Sequence, residues 1–169
     1  KSIGIKETII KSINYLSIKS YKRRKLKKKI FELDSAESRF SAIYHSNFWF
    51  SDIRSGTGST LSGTKNIRLH LPKLLEKFNI KKLFDAPCGD FNWMSEVLKK
   101  SEIDYLGADI VKDLIDINKK KYENDKIKFM KLDIRYDKLP DSDLMICRDC
   151  LFHFSNKDIY LFLNNFASS

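Results

Sequence analysis

Cysteine is scarce: Cys88, Cys147 and Cys150 are the whole supply in 169 residues. An odd, sparse set with no secretory signal excludes a disulfide framework and points to free thiols in a reducing compartment. The CRDC at 147–150 has the spacing of a redox motif without thioredoxin-like surroundings, so buried strand thiols are the reading it supports. No apolar run approaches the roughly 20 residues that a membrane-spanning helix needs. No apolar stretch followed by a small-residue cleavage site marks secretion either. A cytoplasmic protein is therefore expected. His45 and His70 stand at no metal-ligand spacing from an acid or cysteine, and no metal is expected.

Acidic residues are missing from one place in particular. Residues 1–31 carry eleven Lys or Arg against the single acid Glu7, which equals the net charge of +10 for the whole chain; residues 32–169 are balanced. The peak is YKRRKLKKKIF. Such a run suits phosphates, in nucleic acid or on an anionic membrane surface. A peripheral contact of that kind is expected for residues 1–31, with a solvated helix as the plainer reading. The neutral remainder argues against a nucleic-acid substrate held by the following domain itself.

Apolar residues at Ile5, Ile9, Ile10, Ile13, Leu16 and Ile18 keep near-helical spacing, so residues 2–30 read as one or two amphipathic helices. A short helix is expected within ELDSAESRFSA. The first domain is taken as residues 1–48, a basic helical extension, and the second as 49–169. An irregular loop follows, YHSNFWFSDIRSGTGSTLSGT. Ser59 or Thr60 is placed to cap a helix over about 60–78, with Pro72 expected to kink or break it.

From residue 80 short strands alternate with helices. IKKLFDA, IDYLGADI, IKFMKLDI and SDLMICRD read as strands; FNWMSEVLKK, KDLIDINKKKY and NKDIYLFLNNF read as helices. This order makes an α/β, Rossmann-like parallel sheet with flanking helices. It is expected to stop after the fourth strand, leaving that strand at an edge open to a second copy of the chain.

Ligands of open parallel sheets sit beyond the carboxyl ends of the strands. The expected tips are Asp85, Asp109, Asp133 and the pair Arg148–Asp149. Asp109, 24 residues after Asp85, stands where a carboxylate accepts both ribose hydroxyls of an adenosine ligand. Asp133 is placed to accept from the adenine amine, with Ile110 and Ile134 flanking the base. The first turn has one glycine, Gly89, for close backbone approach. A dinucleotide pyrophosphate wants a glycine-rich turn, and Asp85 and Asp90 would repel it. An adenosine carrying positive charge fits instead, which means S-adenosylmethionine.

The chain resembles the class I S-adenosylmethionine-dependent methyltransferases from about Trp49 onward. LFDAPCGDFNW resembles their first motif, YLGADI the second, MKLDI the adenine-side motif and DLMICRDCLFHFS the fourth. DAPCGDFNWM, with the upstream SGTGST and NIRLHLP, is similar to a little-characterised bacterial subgroup. The resemblance implies cofactor contacts from Asp85, Ala86, Pro87, Cys88, Gly89, Asp109, Ile110, Asp133, Ile134 and Arg148. It also implies a lid built from Ser55, Gly56, Gly58 and Ser59, against an ordinary flexible loop before a capped helix. Pro87 and Phe91 stand where the family commonly has glycine, and the fifth strand and antiparallel pair of the family have no counterpart.

Asp149 and His153 are the candidate general bases, against a helix cap for Asp149 and a packed histidine for His153. Phe91 and Trp93 are candidate pocket walls, against plain core packing. The expected activity is methyl transfer from S-adenosylmethionine to a small molecule or glycan. The alternatives are a shortened, non-catalytic module that binds cofactor or partner, and a nicotinamide-dependent oxidoreductase, which the glycine-poor turn disfavours.

Overall fold

Four short strands carry the molecule's regular alternation, and they lie parallel in the order β3-β2-β1-β4. The computed structural model describes residues 20–49, 53–99 and 101–169. β1 is Lys82–Asp85, β2 Asp104–Asp109, β3 Ile127–Lys131 and β4 Leu144–Ile146. The chain builds outward from β1 through β2 to β3, then returns to the other side of β1 for β4. That reversal places a switch point at β1, with Asp85 at its carboxyl end. The α/β, Rossmann-like reading is what the fold shows.

The period-two alternation of strands sorts side chains onto two faces. Leu83, Tyr105 and Phe129 point to one, where α3 (Lys65–Lys77), α4 (Asn92–Leu98) and α5 (Lys112–Tyr122) supply Leu71, Leu75, Met94, Val97 and Ile115. Phe84, Ala86 and Ala108 point to the other, packed with Leu132, Leu139 and Phe162 of α6 (Asn156–Ala167). Gly107 lies on the first face for a steric reason. A Cβ there would meet the Phe129 ring at 2.8 Å and the Tyr105 hydroxyl at 2.9 Å.

Three sequence expectations shift. The helix expected from about residue 60 begins at Lys65, because the Thr60 hydroxyl is used by the turns before it. It donates to the Thr57 carbonyl (2.8 Å) and accepts from Gly63 N–H (3.0 Å). Pro72 neither breaks nor ends α3, which runs through it to Lys77; Pro72 is on the exposed side. β3 ends at Lys131 and β4 at Ile146, so Asp133, Arg148 and Asp149 lie in the loops past the strands rather than on their last residues. Cys150 is buried with the second core face and Cys147 packs against it, both as free thiols.

The chain divides into two compact units, Lys1–Phe48 and Trp49–Ser169. In the first, residues 20–31 form helix α1 and α2 spans Ala36–His45, started by Ser35, whose Oγ accepts from Ser38 N–H at 3.0 Å. The amphipathic helix expected upstream of residue 20 lies outside the described residues. Among the described residues no helix is long and apolar enough to cross a membrane.

Candidate functional site

At the end of β1 the chain turns through Ala86, Pro87, Cys88 and Gly89 before α4. Asp85 is buried, and the Tyr105 hydroxyl, rising past the bare Gly107, donates to its Oδ2 at 2.9 Å. Burial pushes the Asp85 carboxyl up to about 7, with the Tyr105 hydrogen bond opposing. Ala86 and Cys88 are buried and Pro87 is half-buried. Gly89 has φ +55°, a conformation glycine adopts without cost.

Asp109 at the end of β2 closes on this turn. Gly89 N–H donates to its Oδ2 (3.2 Å) and Val111 N–H to its Oδ1 (3.0 Å). Burial pushes Asp109 up to about 6, and the backbone amides hold it from going further. Each oxygen of a carboxylate has a second lone pair, so both remain able to accept a hydroxyl. Asp90 is a third carboxylate here, also raised by burial. Asn118 of α5 also reaches the turn, where its buried amide donates to the Gly89 carbonyl at 2.8 Å. Nothing in a lysine-rich helix marks it as a site residue except an uncharged polar group amid charges.

The loop before α3 lies across the turn. Asp90 N–H donates to Ser55 Oγ (2.9 Å), Asn92 Nδ2 to the Ser59 carbonyl (3.1 Å), and Arg148 Nη2 to the Gly58 carbonyl (3.1 Å). Two glycines permit this approach: a Cβ on Gly89 would be 2.7 Å from Ser55 Oγ, and one on Gly58 would be 2.8 Å from Asp149 Oδ2. Segment 55–59 is thus held between the first turn and the loop after β4.

Past β4, Arg148 pairs with Asp149 (Nη1 to Oδ2, 2.8 Å) and its guanidinium lies 5.7 Å from the Trp93 ring. Asp149 has φ +53°, an uncommon conformation for a residue with a side chain. The His153 ring lies 5.9 Å from Trp49 and 4.2 Å from Phe152. Partial burial lowers its pKa and Asp149 opposes. Ordinary histidine titrates near 6.5, so His153 is neutral at pH 7.

Beside this cluster, Leu132 N–H donates to the Asp109 carbonyl at 3.0 Å and brings the Asp133 loop to the end of β2. Asp133 is gripped by Arg135, whose Nε and backbone N–H donate to Oδ1 and whose Nη2 donates to Oδ2 at 2.7 Å. Arg135 also pairs with Asp158 of α6 and is held above its ordinary pKa. Asp133 Oδ2 keeps one lone pair for an amine. Ile110 is half-buried, whereas Ile134 belongs to the second core face. Phe91 forms no pocket wall. Its ring packs 5.0 Å from Tyr105 and 5.1 Å from Phe129, 1% exposed, because its φ of +57° at the start of α4 turns it into the core. Trp93 is likewise buried. Among the described residues no group of three His, Cys, Asp or Glu is arranged to hold a metal ion.

The fold is a Rossmann-like parallel sheet with flanking helices. It is similar to the methyltransferase domain of bacterial CtHen1, at 19% identity and TM-score 0.52 over 59% of this chain and 57% of that one. It is also similar to the PH0226 protein from Pyrococcus horikoshii OT3, at 21% identity and TM-score 0.50 over 65% of this chain and 54% of that one. The chain therefore spans little more than half the length of these two structures. No protein-family model and no curated protein sequence matches it.

Proposed function

We propose that this chain binds S-adenosylmethionine at the tips of β1 and β2 and transfers its methyl group to a small molecule or glycan. One observation carries the reading: Asp85, Asp90 and Asp109 gather round a turn with a single glycine, at the sheet's switch point. Such a site repels a pyrophosphate and attracts a cation. The fold likeness to a methyltransferase domain supports it.

Asp109 would take the ribose hydroxyls with its two remaining lone pairs, and Asp133 the adenine amine with the one left on Oδ2. Asp85, Ala86, Pro87, Cys88 and Gly89 would surround the methionine part, with Arg148 near its carboxylate and Ile110 against the base. Ile134, enclosed in the core, would contribute its backbone. When bound, the cofactor supplies a methyl group on a positively charged sulfur; transfer leaves a neutral thioether. This chain would position the acceptor and take its proton. His153, neutral at pH 7, and Asp149 are the groups able to accept that proton.

Calorimetry with S-adenosylmethionine tests the first claim. We expect wild-type binding, loss of at least about tenfold in Asp109→Asn, where an acceptor becomes in part a donor, and no binding of NADH. NADH binding in place of S-adenosylmethionine would overturn the reading in favour of an oxidoreductase. A second reading, a module that binds cofactor without turnover, is favoured by β4, three residues long and at the sheet edge. Binding without release of S-adenosylhomocysteine across small-molecule and glycan acceptors would support it.

A further inference from the structure

Helix α1 presents seven Lys or Arg between positions 22 and 29 and no acid between 20 and 31. All seven are exposed. At about 100° per residue, Leu26 and Ile30 share one side of the helix. Ile30 is buried at 3% exposure, and Leu26 is half-buried. Arg23 lies beside them, its guanidinium 5.1 Å from the centre of the Phe48 ring. The side that carries Leu26 and Ile30 is therefore the covered side of residues 20–31.

The other cations are spread round the rest of the circumference. Lys22, Lys25 and Lys29 occupy one flank, Arg24 and Lys27 the other, and Lys28 the crest, with Tyr21 and Phe31 also exposed. A helix that enters a bilayer interface needs a free apolar side opposite its charges, and among the described residues 20–31 none is offered. A flat anionic surface would also meet only the crest and part of each flank. A groove walled by phosphates on both sides meets all of them. The major groove of B-form DNA is about 12 Å wide and a helix with its side chains is about 10–12 Å across. The A-form RNA major groove is too narrow to admit one.

We propose that α1 binds double-stranded DNA through its phosphates, without sequence preference, as a docking element outside the candidate catalytic unit. Its lysines are point charges suited to phosphate rather than to base-specific pairing. The test is fluorescence anisotropy of the full chain with labelled duplex DNA over a salt series. We expect a dissociation constant in the range of about 1–100 μM near physiological salt, tightening as salt falls. In the triple variant Lys25→Gln, Lys28→Gln, Lys29→Gln, the plot of log affinity against log salt should become shallower by about 1 per lysine removed. Glutamine keeps helix propensity, and circular dichroism and calorimetry with S-adenosylmethionine should match wild type. No duplex binding at low salt, an unchanged slope in the triple variant, or stronger capture by phosphatidylserine vesicles than by duplex would each overturn the proposal. None of these outcomes touches the cofactor reading, which calorimetry reports separately.

Discussion

Asp85 is a carboxyl group on which its environment acts strongly. A carboxyl group in water titrates near 3.8, yet burial pushes this one up to about 7 and Asp109 up to about 6. The unfolded chain releases those protons near pH 4, and the folded chain keeps them until 6 or 7. Between these limits the unfolded state binds fewer protons, so stability falls as pH rises. The ligand-free protein should therefore melt at a higher temperature at pH 5 than at pH 7.5. Asp85→Asn, which has no proton to lose, should show a shallower decline, and thermal melts of both proteins across that range check it. Equal slopes would mean that Asp85 is not held protonated. A cationic ligand reverses the sign: its affinity should climb through pH 6–7 as the carboxylates ionise, then level off. Asp85 and Asp109 were legible because each interrupts an apolar strand at its end. Tyr105 was not, since its hydroxyl reaches Asp85 only when β2 lies beside β1.

At the scale of elements, β2 shows how one side chain's absence serves two others. Gly107 leaves the space into which Tyr105 and Phe129 extend, and a methyl group there would stand 2.8 Å from the Phe129 ring. Gly107→Ala should cost about 1–3 kcal/mol through overpacking, read as a lower urea midpoint with unchanged slope. Undiminished stability would show that Phe129 moves aside freely. The kinds of element were readable from periodicity, and the four strands fall where alternation puts them. Their ends were not. Thr60 looks like a helix cap in the sequence, but its hydroxyl is committed to the preceding turns. Asp133 looks like an open acceptor, but Arg135, two residues on, closes round it.

At the scale of the folded unit 49–169, the candidate site is made where separate strands, helices and a loop meet, so a ligand held there would be coupled to the fold. A ligand that binds only the folded form stabilises it by about 2.7 kcal/mol at a hundred times its dissociation constant. S-adenosylmethionine at that level should raise the unfolding free energy by this amount, measured by urea titration, and the same concentration should give little in Asp109→Asn. Equal stabilisation of both proteins would place the binding elsewhere.

Local chemistry was enough to determine the parallel α/β character, the acids at the ends of β1 and β2, and the concentration of positive charge before residue 32. These depend on periodicity and composition, which act over a few residues. Only the tertiary structure decided that Ser55 and Ser59 reach the β1 turn, that Asn118 supports Gly89, and that Phe91 is core. Those contacts join residues about thirty positions apart, or depend on a left-handed backbone at one position, and no short pattern in the chain encodes which distant groups the sheet will bring together.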